Sequence, residues 1–352
     1  KWVLSLSESR VNLRLFSLFK PNDQIAKIYE NLGVQVDYTN VKQKIKNIRN
    51  PNLSKIYYVT ALPQIKKIIN DFSPEIIHAH YASSYGILAF LTFFHPTILS
   101  VWGSDIYDFP RKNIFNKLIL KKVINSTDVI CSTSKAMKKI INSDFLRKDC
   151  QLIPFGVDTT KFTPSTTNEG KFTIGTIKSI ESYNGIDCMI DAANILIHER
   201  NLTNIEFLIV GEGSLLSAMK EKCKKLNLEK NIKFTGYIPH NEIVKYFNKL
   251  SVFIAVSTRE SFGVSILEAA SCRIPAITSN IGGLPEVNAH NHTGFVIPTN
   301  NPKILSDKIM KFYNEKTLLL KMGNNARKRV LKFFDWQNSV DQMIEVYKKI
   351  ND

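Results

Sequence analysis

Short apolar runs alternate with longer amphipathic runs along the whole chain. The short runs have the length and the β-branched residues of buried strands, whereas the longer runs repeat their apolar positions at helical spacing. This alternation is typical of the α/β class, in which helices cover parallel sheets. In the first half the predicted strands are Asn12–Leu18, Val34–Thr39, Glu75–His80, Thr97–Trp102, Asp128–Ser132 and Gln151–Phe155, and the predicted helices include Leu62–Phe72, Ser84–Phe94 and Asn113–Asn125.

The second half follows a polar segment, Val157–Gly170, which we interpret as a linker. We predict two Rossmann-like, doubly wound domains at residues 1–160 and 161–335 with a cleft between them, and a C-terminal helix at 336–352 that can pack back on the first domain. The predicted strands here are Phe172–Thr176, Glu206–Val210, Lys233–Thr235, Val252–Val256, Pro275–Thr278 and Gly294–Ile297, and the helices include Ile186–Arg200, Leu215–Leu226, Asn241–Leu250 and Val264–Cys272.

The start of the chain differs from the usual start of such a domain. The chain begins with Lys1, and Trp2, Val3 and Leu6 indicate a helix. A domain of this kind normally begins with a strand. We therefore expect that an initial strand and the loop after it are missing from this sequence.

Length and composition exclude several classes of protein. The 352 residues are enough for two cores, and the 44% hydrophobic and 22% charged residues are ordinary for a soluble globular protein. No apolar run reaches the ~18 residues that would span a bilayer. The five cysteines are scattered and never form a Cys-x-x-Cys pair, so we expect no disulfide framework, no zinc site and a cytoplasmic location.

The formal net charge of +16 calls for a partner or a compositional cause. No nucleic-acid-binding module is recognisable, so we expect no nucleic acid partner. One interpretation is a bias towards Lys, Asn and Ile, with the lysines solvating helix faces. The other is attraction to an acidic substrate or to an anionic surface, such as the inner face of a membrane.

Polar residues follow several predicted strands directly. His78 and His80 close one strand, Gly103-Ser104-Asp105 follow the next, Gly211-Glu212-Gly213 follow a strand of the second half, and Thr258-Arg259-Glu260 follow another. Ligands of open parallel sheets bind beyond the carboxyl ends of the strands. We therefore expect these residues to line the predicted cleft.

The passage from Ser257 to Ala270 carries the strongest chemical signal. A polar loop leads into a predicted helix near Gly263, and the unsatisfied N–H groups of a helix start bind phosphate well. Gly263 has no Cβ, so a diphosphate could approach closely. Glu260 could accept bonds from sugar hydroxyls, and Glu268 could hold both hydroxyls of a ribose. The alternative is a surface Glu260 and a Glu268 that only favours the helix dipole.

Here the chain resembles the retaining glycosyltransferases of family four, which have the two-domain GT-B fold. Glu260 and Glu268, with seven residues between them, match the hallmark of that family. Six further segments match in order from the linker to the C-terminal motifs: Ile153–Asp158, Phe162–Pro164, Val210–Ser214, Phe234–Pro239, Ile281–Glu286 and Thr293–Pro298.

The resemblance implies a role for each matching residue. Glu260 would contact the transferred sugar and Glu268 the nucleotide ribose, while Lys178 would neutralise the diphosphate. The helix start would hold the diphosphate, and the turns after two strands would lie near the donor, a UDP- or GDP-sugar. The residues implied for these donor contacts are Ser261, Phe262, Gly263, Val264, Gly211, Gly213 and Tyr237.

The chain also departs from the family. Asn184, after Tyr183, stands where relatives often carry a second lysine, so one positive charge is lost. Trp102 replaces a histidine in a His-Gly-x-Asp motif, although Asp105 is retained. His80 is our preferred histidine for the cleft, and the alternative is a histidine satisfied inside a sheet edge.

From this resemblance we predict a metal-independent hexosyltransferase that retains the anomeric configuration. No Asp-x-Asp motif is present, and no metal site is expected. The resemblance implies a glycan or lipid-linked glycan acceptor, in lipopolysaccharide, capsule or related polysaccharide synthesis, at the inner membrane face. The alternatives are a binding-only degenerate relative and a sugar-nucleotide epimerase of the same fold.

One predicted helix mixes basic and apolar residues. Its apolar residues are Phe115, Leu118, Ile119 and Val123, and its basic residues are Arg111, Lys112, Lys117, Lys121 and Lys122. An amphipathic helix of this kind could dock on anionic lipid. The favoured alternative places its apolar face in the core of the first domain and its lysines in water.

Overall fold

The structure is a computed structural model that describes residues 1–39, 55–165 and 171–351. Its contacts divide the chain into two compact units. The first unit comprises Lys1–Thr133, Met137–Ile153 and Val340–Asp352, and the second comprises Ser134–Ala136 and Pro154–Ser339.

The first unit contains two parallel sheets. Strands β1 (Arg14–Ser17) and β2 (Gln35–Tyr38) form a pair, and β3 (Ile77–His80), β4 (Thr97–Val101), β5 (Val129–Ser132) and β6 (Gln151–Leu152) form a sheet in chain order. Its helices are α1 (Trp2–Glu8), α2 (Asp23–Asn31), α3 (Leu62–Phe72), α4 (Ile87–Thr92), α5 (Ser104–Tyr107), α6 (Ile114–Ser126) and all but the first two residues of α7 (Lys135–Asp144). Short 3₁₀ segments lie at Lys55–Ala61 and Phe109–Arg111, and a π-helical turn at Tyr81–Gly86.

The second unit is built on one parallel sheet of six strands. These are β7 (Phe172–Ile177), β8 (Ile205–Val210), β9 (Ile232–Phe234), β10 (Val252–Ala255), β11 (Ala276–Ser279) and β12 (Gly294–Ile297). Its helices are α8 (Ile186–Asn194), α9 (Leu216–Lys225), α10 (Ile243–Phe247), α11 (Val264–Ser271), α12 (Leu284–Val287), α13 (Pro302–Asn314), α14 (Lys316–Phe333) and the first residues of α15 (Trp336–Asn351). A π-helical segment, Ile195–Glu199, continues α8.

The strand order in this sheet is β12-β11-β10-β7-β8-β9. The chain therefore runs outwards from β7 to one edge and then returns to β10, beside β7, before it runs to the other edge. This is the doubly wound arrangement with a topological switch point between β7 and β10. Two apolar clusters cover the sheet, one around Ile190, Phe207 and Phe295 and one around Phe253 and Leu267.

The pattern of apolar residues predicted the elements well. Every predicted strand is present, and its ends differ by no more than three residues from the prediction. The alternation was a sufficient signal because strands buried on both faces read as continuous apolar runs.

The predicted linker is in part packed structure. Val157 and Phe162 are buried in the second cluster, and Val157 N donates to Phe334 O at 2.9 Å. The polar composition of this segment concealed the two apolar anchors. The remainder, residues 166–170, lies outside the described residues.

The last part of α15 belongs to the first unit. Met343 is buried against Ile98, Cys131 and Ile153, and the Tyr347 hydroxyl lies 2.7 Å from His78 Nδ1. The far end of the chain therefore completes the core beside β4 and β5.

Candidate active site

The loops after β7 and β10 meet at the switch point of the second sheet. Val252 pairs with Ile174, and Phe253 pairs with Gly175, so the two strands are hydrogen-bonded neighbours. Because both strands are parallel, their carboxyl ends lie at the same edge. The residues that follow them therefore share one site at the place where such sheets bind ligands.

A lysine from one loop forms an ion pair with a glutamate from the other. Lys178 Nζ lies 2.5 Å from Glu260 Oε2 and donates to Ser257 Oγ at 2.8 Å. The two charged side chains are only 10% and 19% exposed, so water screens this pair weakly. Two of the three ammonium protons of Lys178 thus donate to these oxygens, and the third can donate to a further anionic oxygen.

Glycines hold the Lys178 loop by close backbone contact. Gly211 has φ +138°, and a Cβ there would lie 2.1 Å from Lys178 O. A Cβ on Gly213 would lie 2.3 Å from Ile180 O. The Ile180 amide in turn donates to Glu212 O at 2.9 Å. The structure therefore gives the predicted donor-binding glycines a role within the chain: they fit the turn after β8 against the turn after β7.

A second glycine pair supports the Glu260 loop. Gly282 has φ +52°, and a Cβ there would lie 1.8 Å from Glu260 O. A Cβ on Gly283 would lie 2.5 Å from Ser261 O. The segment before α12 thus positions the carboxylate through direct backbone packing.

Helix α11 begins at Val264, as the sequence predicts, and Gly263 is its N-cap residue. Gly263 has φ +100°, and a Cβ there would approach Leu284 Cδ2 to 2.8 Å. Phe262 is buried, with Phe155 and Phe334 packed against its ring, and so anchors the turn. Ser261, one of the residues implied for donor contacts, donates from its amide to Glu260 Oε1 at 3.1 Å and so supports that carboxylate in this structure.

Glu268 lies within α11 and is almost fully buried. Its Oε1 is 3.1 Å from His240 Nε2, and Lys161 Nζ is 3.2 Å from His240 Nδ1. A lysine ammonium can only donate, so in this arrangement Nδ1 accepts and Nε2–H donates to the carboxylate. Lys161 therefore selects the tautomer of His240 that directs a donor at Glu268.

The loop after β7 has an asparagine where a second lysine was expected. Asn184 Nδ2 donates to Ser179 O at 2.8 Å and to Ser179 Oγ at 2.9 Å, which closes the loop on itself. Arg259 lies over the Tyr183 ring at 4.4 Å, immediately before Glu260. A different cation therefore stands close to this loop.

In the first unit, Asp105 stabilises a turn. It is fully buried, and its carboxylate accepts from Ala82 N at 2.8 Å, Gly103 N at 2.8 Å and Trp102 N at 3.2 Å. Burial raises the pKa of the Asp105 carboxyl, and these N–H donors act in the opposite direction. The contacts show a carboxylate that holds the loop after β4, and its predicted catalytic role has no further support in them.

His80 is enclosed by aromatic rings. Its ring centroid lies 4.1 Å from His78, 5.3 Å from Trp102 and 6.5 Å from Trp2. Burial lowers the pKa of His80 to about 4, so the ring is neutral at pH 7. Within the described residues its buried Nδ1 has no hydrogen-bond partner, so the alternative of a fully satisfied histidine does not describe it.

Two protein-family models match the chain. The model described as glycosyl transferases group 1 matches residues 157–329, and the model described as glycosyl transferase 4-like matches residues 1–134. Together they cover most of the sequence and both units. The chain belongs to the group 1 glycosyltransferases.

This glycosyltransferase has relatives in archaea and bacteria. It is 28% identical to an uncharacterized glycosyltransferase of Methanocaldococcus jannaschii, over 86% of this chain and 84% of that protein. It is 26% identical to the UDP-Gal:alpha-D-GlcNAc-diphosphoundecaprenol alpha-1,3-galactosyltransferase of Escherichia coli, over 96% of this chain and 92% of that protein.

The fold of the glycosyltransferase matches solved structures over its whole length. HepE of Anabaena, crystallised in complex with UDP, superposes with a TM-score of 0.80 at 16% identity, over 99% of this chain and 96% of that chain. The predicted GT-B class with two Rossmann-like domains is confirmed, as is the enzyme class of glycosyltransferase.

Sequence reasoning missed three polar residues of this site in the glycosyltransferase: Ser257, His240 and Lys161. Ser257 stands in the same loop as Glu260 and could have been noticed there, as Arg259 was. His240 follows the predicted turn at Tyr237, whose ring is exposed. Nothing in the sequence pairs Lys161 with that turn.

No helix among the described residues of this glycosyltransferase has both the length and the apolar character needed to cross a bilayer.

Proposed function

We propose that this glycosyltransferase moves a hexosyl or similar unit from a nucleoside diphosphate sugar to a hydroxyl acceptor, with retention of the anomeric configuration. The observation that carries the proposal is the pairing of Lys178 with Glu260 at the switch point of the second sheet. A cation and a carboxylate held together suit a donor that combines an anionic diphosphate with a hydroxyl-rich sugar.

Lys178 would stabilise the departing diphosphate. Its third ammonium proton can reach a phosphate oxygen while the other two hold Glu260 and Ser257. Negative charge on the leaving group grows in the transition state, so a preorganised cation acts mainly on turnover. The amides at the start of α11, at Gly263 and Val264, would bind the same diphosphate.

Glu268 would hold the ribose. Glu268 is buried within α11, and His240 orients one of its carboxylate oxygens. Glu260 would accept hydrogen bonds from the transferred sugar. We assign Tyr237, which is exposed after the strand-turn, to the side of the nucleotide base.

We propose a UDP- or GDP-sugar as donor and no metal requirement, since Lys178 and the amides of α11 supply the positive charge. The first unit, with His80 and Asp105, would serve the acceptor. A lipid-linked glycan acceptor, in lipopolysaccharide, capsule or related synthesis in the cytoplasm, agrees with the acceptor named for the Escherichia coli relative.

The first experiment is a thermal-shift panel of UDP-, GDP- and ADP-sugars, because a ligand that binds the native state raises the melting temperature. The stabilising donor is then incubated with lipid-linked and free glycans, with and without EDTA, and the products are analysed by mass spectrometry and NMR. Transfer with retained configuration, unaffected by EDTA, is the expected result. Donor binding with neither transfer nor hydrolysis would indicate a binding-only protein, and an epimerised donor would indicate an epimerase.

A further inference from the structure

Helix α6 in the first unit exposes apolar side chains on the side that faces away from the core. Leu120, Val123 and Ile124 are completely buried, while Ile114 is 60% exposed, Phe115 77% and Leu118 52%. With about 100° of rotation per residue, Leu118 lies nearly opposite the buried side. The favoured sequence interpretation placed Phe115, Leu118, Ile119 and Val123 in the core. It is correct for Val123 and wrong for Phe115, Leu118 and Ile119, since Ile119 is also 37% exposed.

This arrangement is unusual for a helix exposed to water. Such a helix normally carries apolar residues towards the core and polar residues on the opposite side. Helix α6 instead carries apolar residues both on the side that faces the core and on the side that faces away from it. Large apolar side chains grouped on an outer surface mark sites of contact with a partner or a membrane.

The charged residues within this segment of the sequence have one sign. From Phe109 to Thr127 the sequence contains no Asp or Glu, and it contains five basic residues. Four of the five are exposed, namely Arg111, Lys112, Lys117 and Lys122. A partner of complementary charge would be anionic, and the net charge of +16 favours the approach of the whole chain to a large surface of that kind.

The helix holds its outward residues in a fixed position. Asn113 caps its start by accepting from Asn116 N at 2.8 Å, and Asn116 Nδ2 donates to Phe109 O at 3.1 Å. A neutral asparagine thus accepts the capping hydrogen bond that an acidic residue often accepts at a helix start. The first turn therefore presents Ile114 and Phe115 without placing a negative charge beside them.

We propose that the outward face of α6 docks on an anionic lipid surface. Phe115, Leu118 and Ile114 enter the boundary between headgroups and acyl chains, and the surrounding lysines and Arg111 contact the headgroups. Apolar residues flanked by cations are the pattern of helices that lie in the membrane interface. This surface shares no residue with those assigned to sugar transfer, so the proposal does not depend on the donor or the acceptor.

The test is flotation of the full chain with vesicles of phosphatidylcholine alone and with phosphatidylglycerol added. We expect binding to the anionic vesicles that weakens at high salt. Because each basic residue near such a surface contributes about 1 kcal/mol, the double variant Lys117→Gln/Lys122→Gln should bind about 30-fold more weakly. The matched control is Lys220→Gln/Lys224→Gln, two exposed lysines of another helix, α9.

The apolar part is tested with Phe115→Ser/Leu118→Ser, both exposed positions at which the fold should be retained. This variant should bind at least about tenfold more weakly, whereas Leu320→Ser, an exposed leucine of α14, should bind as the parent does. Equal binding of parent and both α6 variants, or no binding of the parent to anionic vesicles, would overturn the proposal. Self-association that only the Phe115→Ser/Leu118→Ser variant abolishes would identify a second copy of the chain as the occupant instead.

Discussion

At the scale of single residues, the site depends on a buried ion pair between side chains 82 positions apart, Lys178 and Glu260. Each charge is acceptable in its largely buried position because the other compensates it. The pair therefore joins two functions, since it keeps Glu260 in place and keeps Lys178 at the position proposed for the diphosphate.

A double-mutant cycle tests this coupling. Lys178→Gln should lower kcat on the order of 100-fold with a smaller change in the KM for the donor, because the lost charge acts mainly in the transition state. Each single variant, Lys178→Gln or Glu260→Gln, should also destabilise the fold, and the double variant should recover part of the loss. Steady-state kinetics and urea unfolding measure both effects. If the changes in the free energy of unfolding of the two single variants add up to that of the double variant, the pair is not coupled.

Glu268 should affect donor affinity more than turnover. Glu268→Ala removes a charge-assisted hydrogen bond worth about 1.5–3 kcal/mol, so the Kd for the donor should rise about 10- to 100-fold. His240→Ala should have a smaller effect, about 2- to 10-fold, because His240 is mostly exposed and only orients the carboxylate. Isothermal titration with the donor measures both changes. An unchanged Kd in Glu268→Ala would remove this residue from the donor site.

At the scale of elements, the loops that carry the charged residues are placed by backbone packing through glycine. The turn after β8 supports the Lys178 loop at Gly211 and Gly213, and the segment before α12 supports the Glu260 loop at Gly282 and Gly283. A side chain at any of these four positions would meet a carbonyl oxygen at 2.5 Å or less. The geometry of the site therefore depends on residues that need not contact a ligand themselves.

Gly282→Ala should reduce turnover strongly while the protein remains folded. The new Cβ would lie 1.8 Å from Glu260 O, so the loop that holds Glu260 must move. Gly33→Ala is the matched control, since Gly33 also has positive φ, at +68°, but has open space around its Cβ position. Both variants carry the backbone strain of a left-handed alanine, about 1–2 kcal/mol, and only Gly282→Ala should lose activity. Equal activities would show that the contact with Glu260 O is not required.

At the scale of the whole molecule, stability should fall on mild acidification because of two partly buried histidines in the first unit. Burial lowers the pKa of His80 to about 4 and that of His78 well below its ordinary value. The unfolded chain titrates near 6.5, so below that pH it binds protons that the folded chain does not. The stability present at pH 7 is therefore lost progressively as the pH falls from about 6.5 to 4.

For His80 alone, the loss between pH 6.5 and pH 5 is about 2 kcal/mol at most. His80→Leu should therefore show a smaller drop in melting temperature across this interval than the parent. His292→Gln, at an exposed position, serves as the control and should keep the dependence of the parent. A His80→Leu curve parallel to that of the parent would contradict the buried, neutral state of His80.

The sequence by itself determined the order of strands and helices, the two α/β halves and the loop that leads into α11 with Glu260 and Glu268. These features are local, because hydrophobic periodicity and helix-start signals depend only on residues that are close together in the chain. The same local evidence identified Lys178 only as a basic residue after a strand, and it left Lys161 and His240 unnoticed.

Only the tertiary structure decided which distant residues meet. The strand order places β7 beside β10 and so joins Lys178 to Glu260, and packing of the segment after Val157 brings Lys161 to His240. The outward face of α6 was decided in the same way, since periodicity shows that a helix has an apolar side but not which side the core will cover. Contacts between residues far apart in the chain depend on sheet order and packing, which no local pattern encodes.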